Sequence, residues 1–398
     1  NDLFVMPPVV YPPTMRVLII TSRFPWPSYT GDRLRAPIWI SALAPSSEVA
    51  LVAPRGTVPE GLPPFRFFTA QRSLRRLAQG LLLLLRDRLP LQCLMAAPYD
   101  WREAIDRARH EAGPFDVSVV ILSRMHPWVK DSLQGRTVLD AVDSLRRSAA
   151  ERAKAAGPRM RSMMRWLWRM EERRMARLEG AASRRYGKVV VVSEEEREEF
   201  GEAVAVPIGI ATRPLDNNAP RAYDFGFWGR FPYFANADAT AWLLDEIWPA
   251  IRALQPSATL IMGGADAPRA LRNAARDRGV TLVSPVDDIG VFARGIRVAL
   301  MPLRFGSGQS NKTLEAAEAG CAIVGTPLAF RGVAPLASQA RIETSTAGFA
   351  RAAVDLLLDD VLRARQVERL REVVAAEYAR SVTLDRLAAI AGATTEVR

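Results

Sequence analysis

The stretch MPLRFGSGQSNKTLEAAEAGCAIVGTP, residues 301–327, decides the fold. An apolar strand ending near Leu303 runs into Gly306-Ser307-Gly308, and a helix starts around Asn311. That helix stops at Gly320, a residue suited to the left-handed turn that ends helices, and Ala322–Gly325 forms the next strand. Strand, glycine-rich loop, helix and strand in this order are the unit of a parallel α/β sheet. Gly306 and Gly308 permit a close backbone approach that a Cβ would block. Free N–H groups at the helix start favour an anion such as phosphate, and Lys312 adds a full positive charge there. Glu315, one turn on, is placed to accept hydroxyl groups of a ribose. Taken alone, the same pattern also suits a tight turn carrying a solvated Lys and Glu.

Moving outward, Phe227-Trp228-Gly229-Arg230 follows a strand and precedes a helix, and Gly263-Gly264 closes another strand. Gly229 admits backbone to a cleft, and Arg230 can hold a diphosphate through two parallel hydrogen bonds. These elements form a series of strands at 224–228, 258–262, 280–283, 298–303 and 322–325, separated by helices predicted over 236–254, 267–278 and 310–319. An earlier series runs 17–21, 49–52, 117–122 and 188–193. The strands are continuously apolar rather than alternating, as in parallel sheets covered on both faces. The spacing predicts two doubly wound, Rossmann-like domains over 15–205 and 206–372, facing across a cleft, with a linker in 201–220 and a further helix in 373–398. The alternative is one large α/β enzyme with insertions.

Composition narrows the chemistry. The 398 residues are 49% hydrophobic and 24% charged, which excludes a disordered chain. Cys93 and Cys321 are isolated, so neither a disulfide framework nor a zinc cluster is expected, and a reducing compartment is. Only His110 and His126 are present, and the chain lacks GxxxxGK[ST], GxSxG, HExxH and Asp-x-Asp motifs. No metal site is expected. A net charge of +11 points to an anionic partner. No apolar run reaches bilayer-spanning length, and residues 1–14, with two Pro-Pro pairs and no basic segment, read as a leader ahead of Met15.

Three stretches, FWGRFPYFANADATAWLLDEIWP, QPSATLIMGG and GSGQSNKTLEAAEAGCAIVGTP, resemble the retaining glycosyltransferases of the large family-four group, which have the GT-B fold. In the first domain, PWPSYTGDRLRA (25–36) and TVLDAVDS (137–144) look like the branch associated with exopolysaccharide sugar transfer. The resemblance covers about residues 15–370 and implies a first domain for the acceptor and a second for a nucleotide sugar. Carried over by residue, Glu315 would bind the ribose, and Arg230 and Lys312 the diphosphate. Gly229, Gly263, Gly306, Gly308 and Asn311 would line the donor, and Gly31 would let backbone approach its phosphate or sugar. The family's first glutamate is Ser307 here, and its second basic residue near 235–237 is missing, with Lys312 as its substitute. The implied reaction moves a sugar from a UDP- or GDP-linked donor to a glycan or lipid-linked hydroxyl, with retention and with neither metal nor other cofactor. A nucleotide-sugar epimerase on the same plan, or a non-catalytic adaptor for membrane or nucleic acid, is the alternative.

In the first domain, Asp140, Asp143 and His126 are the catalytic candidates. A carboxylate in Asp140-Ala-Val-Asp143-Ser144 would reach the cleft if the preceding apolar run is a strand, and could orient an acceptor hydroxyl or take its proton. Asp143 or Ser144 would serve equally well as a helix N-cap. His126, before Pro127-Trp128, is either a surface-loop residue or a substrate contact.

Residues 145–188 hold fourteen Lys/Arg against four Glu, with Arg161, Arg165, Arg169 and Arg173 in one stripe and Met163, Trp166, Met170 and Leu178 away from it. This suits a core-packed helix with a cationic face, or docking on an anionic bilayer, which the basic, Leu-rich stretch 72–94 also favours. Nucleic-acid binding is the least favoured option, since no recognition motif accompanies the charge. The expected location is cytoplasmic, at the inner face of the plasma membrane if the docking surface is used.

Overall fold

A computed structural model describes residues 15–28, 31–86, 88–155, 162–215 and 220–392. The leader expected over 1–14 lies outside the described residues, as do Tyr29 and Thr30 of the 25–36 motif and Arg161 of the arginine stripe.

Thirteen strands form two sheets among these residues. The first contains β1 (Met15–Thr21), β2 (Ser47–Pro54), β3 (Arg66–Ala70), β4 (Val117–Ile121), β5 (Arg136–Val142), β6 (Lys188–Val191) and β7 (Ala203–Ala205), in the order β3-β2-β1-β4-β5-β6-β7. The second contains β8 (Tyr223–Trp228), β9 (Leu260–Gly263), β10 (Thr281–Val283), β11 (Ile296–Met301), β12 (Ala322–Gly325) and β13 (Arg341–Ile342), in the order β10-β9-β8-β11-β12-β13. Val17 is level with Val49 and Val117 in parallel register, and Phe225 with Leu260 and Val298. Both sheets therefore share one winding, with the order reversing between β1 and β4 and again between β8 and β11. Ligands of such sheets bind beyond the strand carboxyl ends at that reversal. The loops after β8 and β11 occupy this position in the second sheet.

The chain packs as two compact units. One gathers the described residues of Asn1–Ala141, Ala181–Val189 and Leu384–Arg398, the other those of Val142–Gly180 and Val190–Thr383. Val17–Ile20 and Val119–Ile121 are sealed in the first unit, and Phe225, Phe227, Trp228 and Val298–Met301 in the second. Continuous apolar strands are buried on both faces by the helices between them, which is why the run of β-branched residues was readable.

Three strands had no such run. β3, β7 and β13 lie at sheet edges, where pairing on one side leaves part of the strand exposed, and both residues of β13 are. β5, which the sequence offered only conditionally, is a strand, and Asp140 within it is fully buried. The helix expected over 236–254 runs Phe234–Leu254 with a wide turn at Leu243–Ile247, where the Trp248 N–H reaches back to the Leu243 carbonyl. That extra residue lies just ahead of Pro249, which has no N–H to give. The final helix, Arg380–Ala391, starts in the second unit, where the Thr383 hydroxyl donates to the Pro207 carbonyl. From Leu384 it belongs to the first, where the Ala391 carbonyl accepts from Arg136.

Candidate active site

In the second unit, three loops at strand carboxyl ends meet. Gly229 ends β8 at φ +149°, and its N–H donates to the Gly263 carbonyl at 3.0 Å. Gly264, at φ +145°, lies so close that a Cβ there would stand 2.0 Å from the Gly229 carbonyl oxygen. Gly263 is needed for a different reason: a side chain on it would enter the Phe292 ring. The loop after β11 turns at Gly306 (φ +149°) and Gly308 (φ +71°) before the helix Asn311–Glu318. Ser310 precedes that helix without capping it through its side chain; the Asn311 and Thr313 N–H groups donate to the Gln309 and Ser310 carbonyls at 3.1 and 3.2 Å, so the charge offered to an anion at this helix start is the dipole's positive end and the Lys312 ammonium.

Lys312 stands at the centre. Its Nζ donates to Asn236 Oδ1 and lies 4.7 Å from the centre of the Phe227 ring. Burial lowers its pKa to about 8, with Glu315 opposing that shift. Glu315 accepts from Trp228 Nε1 at 2.8 Å. Burial raises its carboxyl above the usual range, against the pull of the Trp228 hydrogen bond and of Lys312. Asn236 also donates to the Arg230 carbonyl at 2.8 Å, which ties the Gly229-Arg230 turn to the lysine. The Arg230 side chain is exposed and paired with Asp266 at 2.8 Å. The structure thus brings Gly229, Gly263, Asn311, Lys312 and Glu315 together, with Arg230 at the rim.

The other part of the loop faces polar partners. Ser307 hydrogen-bonds Tyr233, whose hydroxyl is held protonated above its ordinary range by burial and by the nearby Asp143 carboxylate. A Cβ on Gly308 would come within 2.8 Å of Asp143 Oδ2, so the glycine makes room for that carboxylate. Ser144, not Asp143, caps the helix Leu145–Ala155, its Oγ accepting the Arg147 N–H at 3.1 Å. Asp143, Tyr233, Ser307 and Gly308 therefore form one cluster. Gln309 clamps Ile208 through both backbone groups, and Arg331 donates to the Gly306 carbonyl at 2.7 Å. Tyr233, Gln309 and Arg331 were not singled out in the sequence, although Tyr233 stands three residues past Arg230. Their roles depend on partners remote along the chain.

The first-unit candidates are placed differently. Asp140 accepts from Arg35 Nε at 2.5 Å and Trp39 Nε1 at 2.6 Å, with the Arg35 and Asp140 side chains both sealed from solvent. It is a core ion pair. His126 is buried, with its ring 5.7 Å from that of Tyr186. Burial, reinforced by Lys130 and Arg185, lowers its pKa to about 4, so it is neutral at pH 7. Gly31 opens the helix Gly31–Leu43. In the long basic helix Ser162–Arg185, Met175 and Leu178 are buried, whereas Met163 and Trp166 are exposed beside Arg165 and Arg169. Buried Glu179 accepts from the Ser144 hydroxyl and the Leu145 N–H, a carboxylate at a helix start. Among the described residues, no cluster of three or more His, Cys, Asp or Glu could hold a metal ion.

Residues 222–359 match the sequence family described as "Glycosyl transferases group 1". The matched segment lies wholly within the second unit. That segment contains every element of the Lys312 site, and the match bears out the glycosyltransferase class implied by the sequence. No curated protein matches the sequence. Solved structures share the fold along nearly the whole chain, as expected for GT-B. Sucrose-phosphate synthase from Thermosynechococcus elongatus has a TM-score of 0.69 and 14% identity over 94% of this chain and 98% of its own. HepE from Anabaena, in complex with UDP and glucose, has 0.64 and 11% over 96% and 100%. WaaG, a glycosyltransferase involved in lipopolysaccharide biosynthesis, has 0.62 and 16% over 95% and 100%. These matches do not single out the exopolysaccharide branch.

Proposed function

We propose that the group 1 domain binds a nucleotide-diphosphate sugar, UDP- or GDP-linked, and that the enzyme transfers the sugar to a glycan or lipid-linked hydroxyl. The observation that carries this reading is the half-buried Lys312 amine in the first turn of the helix after the glycine-rich loop, with Glu315 held one turn on by Trp228. Lys312, at the positive end of its helix, meets the diphosphate, Arg230 swings from Asp266 onto its outer oxygens, and Glu315 accepts from the ribose hydroxyls. As the anomeric C–O bond breaks, the departing nucleoside diphosphate takes the electron pair. Fixed positive charge stabilises that developing anion without a metal ion. The acceptor oxygen forms the new bond, and Asp143 orients that hydroxyl or takes its proton. Retention at the anomeric carbon belongs to the same reading, as does a cytoplasmic location.

Support for the base comes from the HepE structure with UDP, whose fold this chain shares. Calorimetric titration with UDP, GDP and ADP in the presence of a chelator is the direct test. Saturable binding of UDP or GDP that is lost in Lys312→Met is the expected result. No binding of any nucleotide would sink the proposal. Acceptor-independent conversion of the sugar nucleotide to an isomer would identify an epimerase instead.

A further inference from the structure

The helix Leu74–Arg86, in the first unit, carries an apolar face left exposed among the described residues. Leu74 is 85% exposed, Leu81 47%, Leu82 61% and Leu85 77%, and Ala78 between them is exposed as well. At the helical step these five positions fall within an arc of about 100°. The opposite side faces the fold. Gly80, the buried residue of the helix, sits so close to Ala97 and Trp128 that a Cβ would lie 2.5 Å from the Ala97 methyl. The orientation is thus fixed from the inside by one glycine, and the leucines are turned outward as a consequence.

We propose that this face docks on an anionic lipid bilayer. Charge decides in favour of that occupant. Residues 72–88 contain five arginines against Asp87 alone, and exposed Arg75 and Arg86 border the leucine arc along one edge. A helix of this kind lies flat, with leucines among the acyl chains and guanidinium groups among the phosphates. Its 13 residues are too few to cross a bilayer. No helix among the described residues is long and apolar enough to do so. The exposed Met163 and Trp166 of Ser162–Arg185 lie in the other unit and make a thinner apolar surface. The docking face is independent of the sugar-transfer reading.

The test is flotation of the full chain with phosphatidylcholine vesicles, with and without phosphatidylglycerol. L82E/L85E, R75E/R86E and, as a control on the other helix, R165E/R169E are compared with the wild type. All six side chains are exposed, so unchanged circular dichroism and melting curves are expected throughout. Wild type should float with the anionic vesicles. L82E/L85E should lower the partition coefficient about 100-fold, near tenfold per leucine withdrawn from lipid. R75E/R86E should lose the preference for anionic lipid, and R165E/R169E should retain most of the binding. Flotation of L82E/L85E equal to wild type, or no wild-type flotation at all, overturns the proposal. So does a wild-type dimer that L82E/L85E converts to monomer, since a second copy would then cover the leucines.

Discussion

The two sheets have the same winding and differ in what occupies their carboxyl ends. After β8, β9 and β11 in the second sheet come glycines at positive φ, Gly229, Gly264, Gly306 and Gly308; Gly229 leaves room beside the Lys312 amine and Gly308 beside the Asp143 carboxylate. In the first unit, the loops after β1 and β4 are filled by side chains: Arg124 reaches Ser22 and Asp32, and Arg35 holds Asp140 in the core. Identical topology therefore presents an open, cationic edge in one sheet and closed ion pairs in the other. Backbone shape at the strand ends, more than strand order, determines where a ligand is received.

Arg35→Met gives the largest effect expected. It leaves the Asp140 carboxylate buried without its cation and should cost about 3–5 kcal/mol of stability, read by chemical denaturation. Affinity for nucleotide should not change, and a selective loss of it would break the contrast drawn above. Gly264→Ala forces a Cβ against the Gly229 carbonyl at a φ that side chains rarely adopt. A destabilisation of about 2–3 kcal/mol should accompany weaker nucleotide binding.

Lys312→Met removes the charge but only half-buried volume. Nucleotide affinity should fall about 10- to 100-fold with the melting temperature nearly unchanged. The wild-type protein adds a pH test. With its pKa lowered to about 8 by burial, Lys312 is charged below pH 8 and must take up a proton to meet a diphosphate above it. Affinity should therefore decline about tenfold per pH unit above pH 8, and the Lys312→Met variant should lose that slope. The same shift acts on stability with the opposite sign. Between pH 8 and 10.5 the unfolded chain holds the Lys312 proton more tightly, so this group favours the fold as pH rises.

Tyr233→Phe is the mildest change. It removes the hydroxyl bound to Ser307 beside Asp143. A loss of a few-fold in kcat, on the order of 1 kcal/mol, with unchanged UDP affinity, would assign this cluster to the transferred sugar rather than the nucleotide.

Much of the Lys312 site was legible because it is local. Gly306, Gly308, Asn311, Lys312 and Glu315 lie within ten residues, and strand, turn and helix periodicity together place them at one sheet edge. Asp140 and Asp143 show the opposite case. Three residues apart, both were candidates in the sequence for a carboxylate that reaches the cleft. One is sealed against Arg35 and Trp39, and the other stands against Gly308 and Tyr233. Val142, at φ +62°, lies between them where β5 gives way to the next helix. His126 was equally ambiguous, and only its burial beside Tyr186, Lys130 and Arg185 shows it neutral at pH 7.

Apolar runs and glycine positions, which act through neighbours a few residues away, determined the central strands of the two parallel sheets and the glycine-rich loop from the sequence alone. Tertiary structure decided what depends on distant partners. Burial sets the Lys312, Glu315 and His126 proton affinities, Arg35 takes Asp140 out of contention, and Gly80 turns the leucines of residues 74–85 toward solvent. Desolvation and pairing depend on what lies around a group in space, and no spacing along the chain reports that.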